Sequence, residues 1–180
     1  LSLRNLDDCD SLTAKTYPVI ARRLVEVVRE VCPATVILGG SAFSILPEEI
    51  LAYTGADFGV VGEGERVICE LIRDLEAGKP CPKLSRGSTL IPGRELISPL
   101  YARELVDFYL EQSGMINLQT KRGCVHGCIY CSYPSLEGRE YRFRDPRAVV
   151  DDMERARREH DVDSFFFTDS VFNDREGHYL

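Results

Sequence analysis

Short apolar segments rich in β-branched residues alternate with amphipathic segments over the first eighty residues, and this alternation restricts the fold more than any other feature. Residues 35–38 and 58–61 are too short for helices, so they predict buried strands. Residues 18–31 and 66–77 carry apolar side chains at helical spacing. Residues 47–53 predict a short helix, because a proline and two acids lie in its first turn. Buried strands joined through helices predict a parallel sheet, and therefore an α/β fold.

The last third of the chain repeats this pattern. A helix is predicted over residues 102–111, and residues 115–120 then alternate apolar and polar side chains, which predicts a strand. A helix over 145–160 follows, with Asp145 at its N-cap and a proline at its first position. Residues 164–168 predict the next strand, whose three phenylalanines we expect in the core. The sequence thus predicts one βαβ unit here.

The segment between these parts is rich in Pro, Gly, Ser and Arg and has no apolar period from residue 79 to residue 99. We therefore predict three parts: a first domain over residues 1–80, a linker with a helix over 81–112, and a second domain over 113–180. The first five residues resemble a strand that has already begun, and the chain does not begin with Met. We expect the sequence to be a fragment of a longer protein.

Charge, hydropathy and cysteine content limit the partners and the cellular compartment that we expect for the protein. The 29 acidic and 22 basic residues give a net charge of −7, which argues against a nucleic-acid partner. No stretch approaches the roughly 18 apolar residues of a membrane span, and residues 1–5 do not have the layout of a signal peptide. Seven cysteines is an odd number, and their spacing does not suit a disulfide framework. We expect a cytoplasmic protein with reduced thiols.

Three of the cysteines lie close together in the cysteine loop, which we define as residues 121–131. Cys124, Cys128 and Cys131 are soft ligands on one short segment, and glycines at 123 and 127 allow the sharp turns that would let the sulfurs converge. Structural zinc sites have four protein ligands, and no second pair of ligands with zinc-site spacing follows. The pattern favours an iron–sulfur cluster with one open iron.

The pattern Cys-x-x-x-Cys-x-x-Cys after a strand, followed by a helix and another strand, resembles the signature of the radical S-adenosylmethionine (SAM) enzymes. In that family three thiolates hold a [4Fe-4S] cluster, and the open iron binds the amino and carboxylate groups of SAM. The resemblance implies that Cys124, Cys128 and Cys131 bind the cluster. It also implies that Tyr130 lies near the adenine and that Asp169 contacts the methionine end of SAM. The alternative for Asp169 is a cap on the turn after its strand.

Other charged residues around the cysteines leave two interpretations open. His126 lies between the first two cysteines, where it faces solvent or the surroundings of a cluster more readily than it serves as a ligand. Several cations flank the loop, and they either favour an anionic cluster and a carboxylate-bearing cofactor or form a solvated charged face. These cations are Lys121, Arg122, Arg139, Arg142 and Arg144.

The first domain resembles the cobalamin-binding domain that precedes many radical SAM domains. The resemblance rests on residues 2–5, 36–41, 46–51 and 56–65 taken in order. It implies that Ser2, Gly39 and Gly40 line the slot for the nucleotide tail of cobalamin, because only glycine lets the tail pass so close to the backbone. The Asp-x-His-x-x-Gly motif that can supply the lower axial ligand is absent from the sequence.

Together the resemblances imply a partial Rossmann-like cobalamin-binding domain followed by the first βαβ unit of a radical SAM partial TIM barrel. They imply reduction of SAM to a 5′-deoxyadenosyl radical, hydrogen abstraction from an unactivated carbon, and commonly methyl donation from methylcobalamin. The implied partners are a small-molecule or lipid-like substrate, such as a lipid or secondary metabolite, and an electron donor such as flavodoxin or ferredoxin. We expect the fragment itself to be inactive.

Two alternatives remain open at this point. One is a non-catalytic iron–sulfur or zinc module that acts as a redox sensor or electron carrier, although ferredoxin-like carriers need four cysteines per cluster. The other is a plain doubly wound α/β domain with a zinc loop.

Overall fold

The computed structural model describes residues 1–10, 12, 15–87 and 89–173. Residues 174–180, the end of the predicted second domain, lie outside this part. The chain divides into two units, Leu1–Leu90 and Ile91–Leu180. Among the described residues, no helix combines the length and the apolar character needed to cross a membrane.

The first unit contains a parallel three-stranded sheet. Its elements are, in chain order, α1 Tyr17–Val31, β1 Ile37–Leu38, α2 Ser41–Ile45, α3 Pro47–Thr54, β2 Phe58–Val61, α4 Val67–Glu76 and β3 Leu84–Arg86. The strand order is β1-β2-β3, with Ile37 opposite Phe58 and Gly59 opposite Leu84. Ser2 forms a parallel bridge with Gly39, so the first residues extend the sheet past β1.

The core of the first unit is centred on Phe43. This side chain is completely buried, and its ring lies so close to Gly59 on β2 that a Cβ there would collide with it. Helix α1 contributes Ala21 and Val25 to the core. Most of the apolar residues on which its helical period was predicted are instead exposed, namely Val19, Ile20, Leu24, Val27 and Val31. Gly59 is therefore required for packing, because it lets the Phe43 ring approach the strand backbone.

The second unit combines a parallel strand pair with a short antiparallel pair. Its elements are, in chain order, the 3₁₀ helix Gly93–Glu95, α5 Arg103–Ser113, β4 Ile116–Leu118, β5 Lys121–Arg122, α6 Tyr133–Leu136, β6 Arg142–Phe143, α7 Pro146–His160 and β7 Phe165–Phe167. Strand β4 pairs in parallel with β7 from Ile116–Phe165 to Leu118–Phe167, and β5 pairs antiparallel with β6. Strands β4 and β7 with α7 form the predicted βαβ unit.

Helix α7 begins and ends as the sequence predicts. The Asp145 carboxylate accepts a hydrogen bond from the Arg147 N–H at 2.9 Å, and the helix ends at His160. The phenylalanines of β7 are buried less evenly than expected. Phe165 packs against the core formed by Val106 and its neighbours, but Phe166 is 54% exposed. Successive side chains on a strand point to opposite faces, so a run of three cannot be buried on one face.

The segment predicted as a linker contains regular structure. Residues 84–86 form β3, which pairs with β2 and belongs to the sheet of the first unit. The segment Leu-Ser-Arg is short and polar for a strand, so it carries no apolar period that a sequence pattern could reveal.

Candidate functional site

The pairing of β5 with β6 fixes the start of the cysteine loop. Lys121 lies opposite Phe143, and Gly123 then leaves β5 with a φ of +88°. The Gly123 N–H donates to the Glu137 carboxylate at 3.2 Å, and a Cβ at this position would collide with the Glu140 carbonyl oxygen. Only glycine combines this backbone conformation with this close approach.

The three clustered cysteines are free thiols in different surroundings. Cys124 is 5% exposed, and its N–H donates to the Gly138 carbonyl oxygen at 3.1 Å. Cys128 is exposed and Cys131 is half-buried, with the Cys131 N–H donating to the Cys128 carbonyl oxygen at 3.1 Å. Within the described ranges, no three His, Cys, Asp or Glu side chains are gathered so that they could hold a metal. Ligation by these cysteines therefore stays a prediction.

The donor set nevertheless fits an iron–sulfur cluster by its chemistry. Three free thiols lie on one segment, and residues 123–132 contain neither helix nor strand. Cys128 is exposed, so it can move toward Cys124 without disturbing a packed core. Because Cys124 is buried, we expect it to keep its position while the other two cysteines move toward it.

Two other predicted residues lie on the exposed side of the cysteine loop. Tyr130 is 88% exposed, beside the fully exposed Ile129, and His126 is exposed as well. The ring of Tyr130 is therefore accessible for stacking on a flat ligand. Its contact with an adenine remains untested.

Asp169 follows β7 and binds the backbone that leads into the cysteine loop. Its Oδ1 accepts hydrogen bonds from the N–H groups of Thr120 at 2.8 Å and Lys121 at 3.2 Å. Its Oδ2 accepts from the Thr120 hydroxyl at 2.6 Å. The structure thus brings Asp169 to the strand end from which the cysteines follow, and the predicted contact of Asp169 with SAM remains a prediction.

A buried ion pair near this strand end was missed by the sequence reasoning. Arg144 and Asp152 are 5% and 2% exposed in their side chains and lie 2.6 Å apart. Arg144 also donates to the Gln119 carbonyl oxygen at 3.0 Å and to the Ser98 hydroxyl at 3.1 Å. The spacing along α7 could have indicated that Asp152 is buried. Asp152 lies three residues after the buried Val149, and so on the same face of the helix.

Lys121 is likewise not part of a solvated charged face. It is 2% exposed, and its Nζ donates to the Phe172 carbonyl oxygen at 2.7 Å. The Nζ also lies 5.3 Å from the ring centre of Tyr141 and 5.5 Å from that of Phe143. For Lys121 and Arg144, burial therefore excludes the interpretation as a solvated face.

The predicted cobalamin residues lie at one edge of the sheet in the first unit. Gly40 has a φ of +105°, and its Cβ position is filled by the Leu3 backbone, so glycine is required there by the chain itself. A Cβ at Gly39 would make only an ordinary contact, 3.5 Å from the Val60 carbonyl oxygen. Ser2 is exposed and lines a cleft of about 310 Å³ together with Arg4 and other residues. Cofactor contacts of these residues remain predictions.

The chain is similar in sequence to curated methyltransferases and cyclases. No profile of a known protein family matches the chain. Tryptophan 2-C-methyltransferase from Streptomyces laurentii is 25% identical over 96% of this chain and 39% of its own length. Anaerobic magnesium-protoporphyrin IX monomethyl ester cyclase from Cereibacter sphaeroides is 30% identical over 93% of this chain and 31% of its own. Bacteriochlorophyllide d C-8(2)-methyltransferase from Chlorobaculum tepidum is 31% identical over 84% of this chain and 34% of its own length.

Solved structures agree with this result. The radical S-adenosylmethionine methyltransferase TsrM from Kitasatospora setae, with tryptophan and a SAM analogue bound, is 25% identical and matches 98% of this chain with a TM-score of 0.80. A second TsrM structure, with cobalamin and a [4Fe-4S] cluster bound, is 24% identical and matches 96% of the chain with a TM-score of 0.79. Each match covers 37% of the TsrM chain, so this chain spans well under half the length of its relatives. By sequence and by fold, the chain belongs to the cobalamin-dependent radical S-adenosylmethionine family.

Proposed function

We propose that the protein is part of an enzyme that cleaves SAM at a [4Fe-4S] cluster and uses cobalamin to transfer a methyl group to carbon. The observation that carries this proposal is the position of Cys124, Cys128 and Cys131. They follow a parallel strand, β4, whose neighbour β7 is reached through a helix, and the fold is shared with a methyltransferase that binds these cofactors.

The residues of the second unit would do the following work. Cys124, Cys128 and Cys131 would hold the cluster as thiolates, with Cys124 fixed by burial and the other two moving to meet it. Tyr130 would lie against the adenine. When bound, the cluster supplies the electron that breaks the C5′–S bond of SAM, giving methionine and a 5′-deoxyadenosyl radical.

The first unit would bind cobalamin, within the proposed domain over residues 1–80. Ser2 lines the cleft at the sheet edge, and Gly39 presents backbone without a side chain beside it. Cobalamin supplies a carrier for the methyl group. Apart from β3, which belongs to the sheet of the first unit, residues 81–112 would connect this domain to the second, over residues 113–180.

The substrate proposed here is a small organic molecule. The relatives are named for tryptophan, a porphyrin ester and a bacteriochlorophyllide, which are all aromatic ring compounds. These names favour an aromatic metabolite over the lipid that the sequence also allowed. The proposal includes an electron donor such as flavodoxin or ferredoxin and a cytoplasmic location, because free thiols and a reduced cluster need a reducing compartment.

Anaerobic reconstitution tests the proposal. The protein is incubated with iron, sulfide and a reductant, and iron and sulfide per chain are measured together with the visible spectrum. We expect a cluster in the wild type and in Cys69→Ser, whose thiol is exposed on α4, and its loss in Cys124→Ser. In the full-length enzyme, addition of SAM should change the spectrum of the reduced cluster and yield methionine.

Two results would overturn this function. Zinc without sulfide in anaerobically purified protein would favour the zinc-binding module. A cluster that forms but whose spectrum is unaffected by SAM would favour an electron carrier or redox sensor.

A further inference from the structure

We propose that Asp169 and Ser170 are positioning residues for the cysteine loop, and that they hold the backbone before Cys124 so that this thiol is ready to capture the cluster. The inference rests on the proposed function, since the captured group is the iron–sulfur cluster. It assigns to Asp169 a role different from direct contact with SAM.

The first step of the argument is the point where the strand pair ends. The last backbone hydrogen bond between β7 and β4 runs from the Thr168 N–H to the Leu118 carbonyl oxygen at 2.9 Å. Beyond it, the Asp169 carboxylate accepts from the N–H groups of Thr120 and Lys121 and from the Thr120 hydroxyl. A side chain therefore continues the attachment of β4 to β7 after the backbone ladder stops.

Ser170 extends the attachment to the residue before the first cysteine. Its hydroxyl donates to the Gly123 carbonyl oxygen at 3.1 Å. The Thr120 carbonyl oxygen accepts from the Arg144 N–H at 2.9 Å, so Thr120 is held from both sides and is only 8% exposed. Residues 120–123 are thus fixed immediately ahead of the buried Cys124.

The hydrogen bonds that the Asp169 carboxylate already accepts distinguish a positioning role from direct binding of SAM. A carboxylate has about four acceptor positions, and three hydrogen bonds already go to Asp169. An asparagine can keep this geometry, because its amide oxygen can accept both N–H groups and its amide N–H can donate to the Thr120 hydroxyl oxygen. A positioning role therefore tolerates Asp169→Asn, whereas a contact with the charged amino group of SAM does not.

The first experiment measures cluster capture. Asp169→Ala, Asp169→Asn and Asp151→Ala, a control at an exposed position on α7, are reconstituted anaerobically as full chains. We expect Asp169→Ala to lower cluster affinity by roughly tenfold, since it removes several hydrogen bonds to a charged group. Asp169→Asn should retain both the cluster and the spectral response to SAM, as should the control. Loss of the spectral response to SAM in Asp169→Asn, whether or not the cluster is also lost, would overturn the positioning role.

The second experiment needs no cluster. Iodoacetamide alkylation of the metal-free chain is followed at Cys124 by peptide mass spectrometry, with the exposed Cys128 as an internal reference. We expect Cys124 to react about tenfold faster in Asp169→Ala than in the wild type, with an unchanged rate in Asp169→Asn. An unchanged Cys124 rate in Asp169→Ala would overturn the inference, even if the wild type holds a cluster.

The two proposals fail separately. A wild type that takes up no cluster but shows the predicted Cys124 rates would overturn the proposed function and leave the positioning of Cys124 supported. If Asp169→Ala does not fold, as judged by circular dichroism, Ser170→Ala decides. A faster Cys124 reaction supports the inference, and a rate equal to that of the wild type overturns it.

Discussion

Arg144 and Asp152 form an ion pair 2.6 Å long that is almost completely buried. Arg144 follows β6, and Asp152 lies on α7, where its second oxygen accepts from Arg155 at 2.9 Å. The Arg144 guanidinium also donates to the Gln119 carbonyl oxygen and to the Ser98 hydroxyl. The pair therefore joins α7 to the strand end that leads into the cysteine loop.

Replacement of Asp152 by alanine should strongly destabilise the second unit. The change leaves the Arg144 charge buried without its partner, which costs about 3–5 kcal/mol in free energy of unfolding. Urea unfolding followed by circular dichroism measures this. Glu159→Ala on the same helix removes the exposed pair with Arg158 and should cost at most about 1 kcal/mol. Equal losses in the two variants would contradict the structural role of the buried pair.

Replacement of Gly123 by alanine should disrupt the start of the cysteine loop. The φ of +88° and the Glu140 carbonyl oxygen both oppose a Cβ at this position, and strain of this kind costs about 1–3 kcal/mol. Iron per chain after anaerobic reconstitution should fall. The control is Gly127→Ala, because a Cβ at Gly127 meets nothing within 4 Å. A variant at Gly127 that loses as much iron would show that flexibility, not the conformation of Gly123, is the requirement.

The sequence predicted the parts of the fold that depend on local periodicity. The α/β class, the bounds of α1 and α7 within a few residues, and the β4–α7–β7 order all follow from patterns visible in short windows. The family resemblance, carried by the cysteine spacing and its context, is confirmed by the relatives and the shared fold.

The parts that the sequence did not predict depend on contacts between distant residues. Strands β5 and β6 have two residues each, too few for a period. The burial of Asp152 was not predicted, because a carboxylate is normally exposed unless it has a charged partner. That partner, Arg144, lies eight residues away, after β6. Similarly, the partners of Asp169 lie 48 and 49 residues before it, so no local pattern could reveal its hydrogen bonds to Thr120 and Lys121.

The stability of the first unit should depend on pH through Asp57. A hydrogen bond from the Val36 N–H, aided by Arg29 at 3.1 Å, lowers the pKa of Asp57 below its ordinary value. A lowered pKa in the folded state stabilises the fold above the unfolded-state pKa of about 3.9, and this contribution is lost as the pH falls through the folded-state pKa. Asp57→Asn should therefore cost about 1–2 kcal/mol at pH 7, and the difference from the wild type should shrink below about pH 3.

Urea unfolding of both proteins at neutral and acidic pH measures this difference. Glu76→Gln, at an exposed position at the end of α4, is the control and should leave the stability unchanged at either pH. A difference between Asp57→Asn and the wild type that stays constant down to pH ~2 would show that the carboxylate charge does not contribute.

Alanine substitutions at the two adjacent glycines after β1 should have different effects. At Gly40 the backbone has a φ of +105° and the Cβ would collide with the Leu3 backbone, so Gly40→Ala should cost about 1–3 kcal/mol in free energy of unfolding. At Gly39 the Cβ would lie 3.5 Å from the Val60 carbonyl oxygen, which is an ordinary contact. Gly39→Ala should therefore keep the stability within about 0.5 kcal/mol of the wild type.

This difference makes Gly39 the informative position for cobalamin. Because we expect Gly39→Ala to leave the fold intact, any loss of affinity can be assigned to the added methyl group beside the proposed slot and not to unfolding. Cobalamin binding is measured by its visible absorbance after gel filtration of the protein–cobalamin mixture. We expect weaker binding by Gly39→Ala than by the control Glu76→Gln, at the exposed end of α4. Equal binding by Gly39→Ala and the wild type would remove Gly39 from the slot and leave its small size without a role in cofactor binding.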